Sequence, residues 1–431
     1  MHLEGKLPEL LIPASSLDVL KTAVRFGADA VYLGGEAFSL RAKAKNFTIP
    51  EMREGIAYAH ERGVKVYVTV NILAHNADLT EAENYLRELR ELAPDALLVA
   101  DPGIFVMARE ICPELDLHIS TQANNVNYGS FLFWQKLGAS RVVCGRELSL
   151  QEIREIRDRI PDELEIEAFV HGAMCISYSG RCLVSNYLTG RDANRGACTH
   201  PCRWNYQLFA RESDETGEPL FSIEEATRPG ERMPLLESER GTFLFNSKDL
   251  CMIEHIPDMV DAGIDSLKIE GRMKTALYVA VVAGTYRKAL DDLKESREKY
   301  EKNMDLYKAE IRNCTYREFT TGFFYGKPGY ESQIYDSNSY VQNAIYLGTV
   351  EAVETHQGKR TCRIRQKNKF CVGDRIEIMK PGLRTEEAEV LEILDEELGS
   401  VMSAPHSKHL LHLVLSREAE EGDLLRMKRG A

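Results

Sequence analysis

The chain lacks any segment that would hold it in a membrane. Its 431 residues contain no run of 18 apolar residues, and its first residues, Met1-His-Leu-Glu-Gly-Lys-Leu-Pro8, do not combine a basic region with an apolar stretch. A membrane-spanning helix needs about 20 mostly apolar residues, and a secretory leader needs both of those regions. We therefore expect a cytoplasmic protein that has no membrane partner.

The chain also lacks an excess of positive charge. It has 54 Lys and Arg residues against 67 Asp and Glu residues, which leaves a net charge of -13. A protein that coats nucleic acid through bulk electrostatics carries the opposite sign. The charge balance therefore excludes such a coat, although it leaves room for a local basic groove.

Several common catalytic motifs are absent from the sequence. It has no Gly-x-Ser-x-Gly elbow and no phosphate-binding Gly-x4-Gly-Lys loop. The run that starts at His60 and Glu61 begins like a zinc-protease helix but lacks the second His. Asn205 stands where a radical S-adenosylmethionine enzyme would carry its third cysteine after Cys198 and Cys202. These absences exclude the usual hydrolytic sites and the radical enzyme.

What the chain does have is a group of closely spaced cysteines. Four of its ten cysteines lie within residues 175–202, with intervals of x6, x15 and x3 between them: Cys175, Cys182, Cys198 and Cys202. The other six are scattered singly along the chain, which suits a reducing compartment better than a disulfide framework. In such a compartment, clustered cysteines are typical metal ligands.

The cysteine intervals favour an iron-sulfur cluster over zinc. Structural zinc sites usually contain Cys-x2-Cys knuckles, whereas wide and irregular intervals are typical of iron-sulfur ligands. Zinc, a pair of disulfides and simple burial remain the alternatives.

A repeated half-unit predicts an α/β fold. Residues 25–33, 91–99, 136–144 and 261–269 each contain a helix end, a Gly or Pro turn and then a short apolar strand. Further strand-like runs span residues 9–14, 65–71, 117–122 and 165–171, and amphipathic stretches such as 16–26 and 79–92 lie between them. Eight strands that alternate with helices predict a TIM-like (β/α)8 barrel, with the site residues at the strand ends.

The length of the chain predicts a second, smaller domain. We expect the barrel in residues 1–312, with a polar insertion after strand 7 at about 204–242 and a long helical pattern at about 277–312. A linker follows at 313–339, and short alternating runs in 340–431 predict a small β-barrel. Along one of its strands Arg363, Arg365, Lys367 and Lys369 alternate, which predicts a basic face. Such a module either binds a large partner or is a structural cap.

Four sequence runs carry a family resemblance. They are Glu167 to Ser185 with its His-Gly-Ala-Met-Cys core, Arg195-Gly-Ala-Cys198, Phe245-Asn-Ser-Lys-Asp249 and Ser266-Leu-Lys-Ile-Glu-Gly-Arg272. Over nearly the whole chain the sequence resembles peptidase family U32, also called collagenase-like, and most closely its tRNA hydroxylation branch. The resemblance implies a 4Fe-4S cluster, conversion of a wobble uridine of tRNA to 5-hydroxyuridine, prephenate as co-substrate or ligand, and a second family member as a candidate partner. It also implies that Cys251 is a reserve ligand, the alternative being a residue that packs against a helix.

The resemblance gives roles to residues at the ends of the expected strands. A dicarboxylate such as prephenate needs cationic partners, and Arg146, Lys268 and Arg272 can supply them unless they pair with Glu147 and Glu270. Three more residues complete a polar pocket: Gln122, Asn71 and Tyr32.

Two residues on the seventh strand are candidate catalytic groups. Period-two alternation places Glu167, Phe169 and His171 on one face, which we expect to be the barrel interior. His171 then donates a proton or orders the surroundings of the cluster, or it is a structural histidine.

Three functional hypotheses follow. The first is an iron-sulfur tRNA hydroxylase, the second a metal-independent collagenase-like peptidase, and the third a non-catalytic iron-sulfur or zinc scaffold for a partner enzyme. The peptidase hypothesis has little support in the residues, because the sequence shows neither an activated nucleophile next to a base nor a zinc-bound water site.

Overall fold

A computed structural model describes most of the chain. It covers residues 7–39, 46–174, 247–329, 332–334, 340–405 and 407–429, together with residues 182, 185, 191 and 197–199 and the backbone of four short strands between 221 and 242.

The first domain is a closed barrel of eight parallel strands. Each strand pairs with the next along the chain, and the last strand pairs with both the first and the seventh. The strands read as apolar runs because helices cover the outer face of the sheet. The barrel strands are β1 (Glu9–Pro13), β2 (Ala30–Gly34), β3 (Lys65–Val70), β4 (Ala96–Val99), β5 (Asp116–Ile119), β6 (Arg141–Val143), β7 (Glu165–Ala173) and β13 (Ser266–Ile269). The predicted TIM-like barrel is confirmed.

Helices follow the strands and pack against the outside of the barrel. Their ends follow local chemistry: Thr48 and Glu51 form a capping box at the start of α2, for example, and Ser149 and Glu152 do so at α6. The helices are α1 (Leu17–Arg25), α2 (Ile49–His60), α3 (Leu79–Leu92), α4 (Pro102–Ile111), α5 (Tyr128–Lys136), α6 (Leu150–Arg157), α7 (Ile256–Asp261), α8 (Ala276–Glu295), α9 (Arg297–Lys302) and α10 (Met304–Glu310).

The long helical pattern expected at about 277–312 is divided into the three helices α8, α9 and α10. Ser296 has extended backbone angles, and its hydroxyl accepts a hydrogen bond from the amide of Lys299. It therefore ends one helix and caps the next, which the charge pattern alone did not reveal. Among the helices in the described part of the chain, none combines the length and apolar character that crossing a bilayer requires.

The predicted insertion contains strand pairs in its described parts. β8 (Phe221–Glu224) pairs with β9 (Arg232–Leu235), and β10 (Glu237–Ser238) pairs with β11 (Gly241–Thr242). The next strand, β12 (Asp249–Cys251), runs antiparallel to the end of β7 and so extends the barrel sheet.

The expected linker also contains strands. β14 (Thr315–Tyr316) pairs with β16 (Val341–Gln342), and β15 (Phe319–Thr320) pairs with β12. The segment therefore joins the barrel sheet through β15, while β14 forms a separate ladder with β16.

The C-terminal domain is a second closed barrel, which confirms the predicted small β-barrel. Six antiparallel strands close in the order β20, β25, β17, β18, β24, β21 and back to β20. The sequence missed the last strand and the full length of the first. The strands are β17 (Ala344–His356), β18 (Lys359–Arg365), β20 (Arg375–Lys380), β21 (Arg384–Leu394), β24 (Leu410–Leu415) and β25 (Leu424–Lys428), with the two-residue strands β19 (Phe370–Cys371), β22 (Ser400–Val401) and β23 (Ser403–Ala404) beside them.

Buried ion pairs join the two domains. The guanidinium of Arg426, which is 1% exposed, contacts Glu310 of α10 at 2.6 Å and Glu377 of its own domain at 2.7 Å. Arg25 at the end of α1 contacts the buried carboxylate of Asp423 at 2.7 Å. Because removing one partner of a buried pair is costly, these contacts fix the orientation of the two domains.

Candidate active site at the barrel mouth

The six residues predicted to bind substrate line a single cleft. All of them lie at or just after the carboxyl ends of barrel strands, which is where TIM-barrel sites form. The described residues leave a cleft volume of about 60 Å³. The six are Tyr32, Asn71, Gln122, Arg146, Lys268 and Arg272.

Lys268 forms a buried ion pair at the base of this cleft. Its Nζ lies 2.6 Å from Oε1 of Glu167 and 4.5 Å from the centre of the Tyr32 ring. Burial lowers the pKa of Lys268, while the carboxylate of Glu167 opposes that shift. Glu167 is fully buried and does not line the cleft, so it acts on the cleft through Lys268.

A column of charged groups continues below Glu167 into the barrel. Arg141 lies 3.1 Å from Glu167 and 2.6 Å from both Glu9 and Glu165, and the hydroxyl of Tyr67 donates to Glu9. Burial disfavours the charge of Arg141, but Glu9 and Glu167 outweigh it and raise its pKa. TIM-barrel interiors are normally filled by Val, Ile and Leu. This column therefore links the base of the cleft to the far end of the barrel.

Arg146 pairs with Glu270, which is one of the ion pairs that the sequence left open as an alternative to binding an anion. Its guanidinium lies 3.3 Å from Glu270 and 4.0 Å from the centre of the Phe169 ring. Glu147 instead accepts a hydrogen bond from Asn124. The Arg146 and Glu270 side chains are 17% and 16% exposed, so an incoming anion can reach them.

Arg272 is held by hydroxyl groups on the other side of the cleft. It donates to Ser39 and, at 2.8 Å, to Thr69. Any side chain at Gly34 would overlap the Arg272 guanidinium, which explains a glycine at the end of β2. Arg272 is therefore rigidly positioned.

The prediction that His171 faces the barrel interior is wrong. Lys268 pairs with Phe169 and Ile269 pairs with His171, so β7 contains one extra residue, Val170. This bulge shifts the alternation of side chains. The His171 ring packs against Tyr278, Tyr286 and Phe319 outside the cleft: Tyr278 and Tyr286 belong to α8 and Phe319 to β15.

His171 faces Cys251 across β7 and β12, but the pair is not an activated nucleophile. Burial raises the pKa of Cys251 to about 12 and lowers the pKa of His171 to about 3. Both groups are therefore neutral at physiological pH, whereas a cysteine nucleophile needs its thiolate. The burial of Cys251 agrees with a packing role, and its role as a reserve ligand stays a prediction.

The cysteine segment begins directly after β7. Of the four predicted ligands, Cys175 and Cys202 lie outside the described residues, and Cys182 and Cys198 are half-buried and not in disulfides. The backbone amide of Thr199 donates a hydrogen bond of 3.0 Å to the hydroxyl of Ser185. That bond brings the chain near Cys182 close to the chain near Cys198. Among the described residues no three His, Cys, Asp or Glu side chains form a metal site.

The sequence missed several residues of the cleft. Thr69 is the last residue but one of β3, and Ser120 directly follows β5 and accepts a hydrogen bond from Asn71. Position at a strand end was the signal that could have found them. Arg141 lies below the cleft and gave a different signal, since an arginine at the start of a short apolar strand needs partners if it is buried.

Comparison with known proteins extends these observations. The profile of peptidase family U32 matches residues 15–334, and that of the peptidase family U32 C-terminal domain matches residues 342–426. A Bacillus subtilis protein named tRNA hydroxylation protein P1 is 38% identical over 98% of this chain and 95% of its own length. An Escherichia coli protein named tRNA hydroxylation protein P is 41% identical over 87% and 86%. A second Escherichia coli protein, named 23S rRNA 5-hydroxycytidine C2501 synthase, is 35% identical over 67% of this chain and 40% of its own length.

Proposed function

Because the chain belongs to peptidase family U32, we propose that it is a tRNA hydroxylase that converts a wobble uridine to 5-hydroxyuridine with an iron-sulfur cluster and prephenate. The names of its relatives support hydroxylation of RNA, and two of those names specify tRNA. The observation that carries the proposal is the cation-lined cleft at the end of the strand that leads into the cysteine segment.

The cleft supports an anionic ligand such as prephenate. Arg146, Lys268 and Arg272 supply three cations, against Glu270 in the lining and Glu167 beneath it. Small-molecule pockets usually measure roughly 300–1,000 Å³, so the present cleft holds only part of such a ligand. We propose that a carboxylate of prephenate displaces Glu270 from Arg146, since that pair is long and partly exposed, while the buried pair of Lys268 stays intact.

The donor set suits an iron-sulfur cluster, with zinc as the alternative. The thiolates of four residues would hold it: Cys175, Cys182, Cys198 and Cys202. The hydrogen bond from the amide of Thr199 to Ser185 supports this assignment, because it holds the chain near Cys182 close to the chain near Cys198. When bound, such a cluster supplies electron transfer. This chain's own residues bind and orient: Arg146 and Arg272 hold the anion, and Glu167 keeps Lys268 charged and in place.

The first test measures tRNA nucleosides. Deletion of the gene should remove 5-hydroxyuridine from tRNA, as measured by mass spectrometry, and the wild-type gene should restore it. If the deletion strain retains the modification, with no second family member in that strain to supply it, the proposal is wrong.

The second test measures metal content after anaerobic purification. Alanine at each of the four proposed ligands should deplete bound iron and abolish restoration, because a cluster that loses one thiolate exposes an iron to solvent. Cys112→Ala is the matched control, since Cys112 is fully buried at the end of α4. Iron that is unchanged in all four variants would refute the ligand assignment, and zinc in place of iron would favour the zinc alternative.

A further inference from the structure

A groove separates the (β/α)8 barrel from the C-terminal β-barrel along α1. Near the barrel mouth it is lined by Ser15 and Lys274, which follow β1 and β13, and at the opposite end by Arg62 and Val64, which precede β3. Residues of β17 and β18 form its other wall. Its volume of about 1120 Å³ exceeds that of usual small-molecule pockets. The groove therefore fits an extended ligand.

The groove is positively charged although the whole chain carries a net charge of -13. Three carboxylates line it, from Asp18, Glu351 and Glu421. Twice as many cations line it, although carboxylates just outside the lining pair with some of them: Lys21, Arg25, Arg62, Lys274, Arg365 and Lys367. Because an acidic protein repels polyanions over most of its surface, such an excess of cations over carboxylates in the lining directs a polyanion to this place.

The cations differ in how far they are already neutralised. Arg25 contacts Asp423 at 2.7 Å and helps to dock the domains, and Arg365 contacts Glu351 at 3.4 Å. Lys21 contacts Glu54 at 2.8 Å, and Arg62 contacts Glu61 at 3.3 Å. Within the described parts of the chain, Lys274 and Lys367 form no ion pair. These two lysines, one on each wall, are the cations that can most readily take up phosphate groups.

An exposed aromatic ring lies beside one of these lysines. The Tyr340 side chain is 44% exposed. Its ring centre lies 4.8 Å from Nζ of Lys274 and 4.6 Å from the guanidinium of Arg317. Proteins that bind single nucleic-acid strands combine a positively charged groove with exposed aromatic rings on which bases stack.

We propose that this groove binds a strand of the tRNA and leads it to the barrel mouth. Lys274 and Lys367 contact phosphates, and Tyr340 stacks on a base. This inference rests on the proposed function, since it takes tRNA as the substrate. It also revises the basic face expected on β18: Arg363 contacts Glu354 at 2.9 Å, and neither Arg363 nor Lys369 lines the groove.

The test compares two charge-reversed variants of the full chain. Binding of an unmodified tRNA transcript with a wobble uridine is measured by fluorescence anisotropy over a series of salt concentrations. Lys274→Glu with Lys367→Glu should weaken binding at least tenfold at low salt. It should also reduce the slope of log K against log salt by about 1.4 to 1.8, because each phosphate contact contributes about 0.7 to 0.9.

The matched control is Lys136→Glu with Lys369→Glu, which makes the same charge change on exposed residues outside the groove, one in each domain. It should bind as the wild type does. Tyr340→Leu should weaken binding without changing the salt slope, since stacking releases no counterions. Circular dichroism and thermal unfolding of each variant show that the fold is intact.

The outcomes separate this inference from the proposed function. A groove variant with wild-type affinity and slope overturns the groove, as does a wild-type protein that binds no tRNA, while nucleoside analysis of the deletion strain decides the function independently. If the variant binds tRNA normally but fails to restore 5-hydroxyuridine in cells, the groove serves another anionic partner such as an acidic protein, and the RNA assignment is wrong.

Discussion

The two closed barrels of this chain have opposite interiors. The eight-stranded barrel contains a column of buried charges that includes Arg141, Glu167 and Lys268. The interior of the six-stranded barrel is an apolar cluster that includes Ile364, Ile378 and other aliphatic residues. Burying a charge costs several kcal/mol even when it is paired, so a stable barrel does not need such a column. One end of this column, at Lys268, forms the base of the candidate site.

The position of the remaining buried charges sharpens this contrast. In the six-stranded barrel, Arg426 and Glu377 lie against Glu310 of the other domain. The buried charges Arg426 and Glu377 of the six-stranded barrel therefore lie at the contact between the domains, while its interior is packed with apolar side chains. This division agrees with a module that orients a partner with its outer surface and performs no chemistry inside.

The largest expected effect comes from breaking the buried column. Glu167→Gln leaves Lys268 without its carboxylate and should lower the free energy of unfolding by about 3–5 kcal/mol, measured by urea denaturation at pH 7. Glu392→Gln is the control, because it removes the partner of the exposed Lys359 and should cost less than about 1 kcal/mol. Equal losses of unfolding free energy for the two variants would mean that breaking the buried ion pair costs no more than breaking the exposed one.

A smaller effect is expected at a second buried carboxylate of the first domain. Burial disfavours the charge of Asp292, but hydrogen bonds from Lys288, Tyr307 and Asn303 outweigh it and lower its pKa to about 2. Asp292→Asn should therefore cost roughly 1.5–3 kcal/mol at pH 7.

The pH dependence of that cost checks its cause. A carboxylate whose pKa is lower in the folded state stabilises the fold above its unfolded pKa of 3.8, and the stabilisation is lost as the pH falls through about 2. The difference in unfolding free energy between wild type and Asp292→Asn should shrink between pH 5 and pH 2. A constant difference would show that shape, and not charge, sets the cost.

The smallest effect is expected in the apolar barrel. Ile378→Val removes one methylene from a fully buried side chain and should cost about 0.5–1.5 kcal/mol by thermal unfolding. Iron content should not change, since the proposed ligands lie in the other domain. A loss of iron in this variant would contradict the separation of the two interiors.

The repeated pattern predicted the first fold well, because strands that are buried on both faces are mostly apolar even where a few charged residues face the interior. All eight barrel strands lie within a few residues of their expected positions. β12 has only three residues, too few to show a period. Its pairing with β7 depends on contacts made after the insertion, which no local pattern encodes.

The candidate site was predictable where position alone decides it. The six cleft residues were found because the ends of parallel strands meet at one face of a barrel. Their partners were harder to predict, since Thr69 and Ser39 become neighbours of Arg272 only through the closure of the sheet. The predicted orientation of His171 was wrong because the alternation of side chains assumes that each residue of one strand pairs with one residue of the next. In β7 the bulge adds an extra residue before His171.

That extra residue makes the length of β7 matter independently of its composition. Substituting Val170 changes packing, whereas deleting it would remove the bulge and with it the local bend and extra twist that a bulge gives to a strand. The chain after Gly172, whose left-handed φ of +106° keeps its backbone against the Glu270 carbonyl, would then leave the barrel in a different direction. We therefore expect the spacing between Phe169 and the first cysteine of the segment to tolerate substitution far better than insertion or deletion.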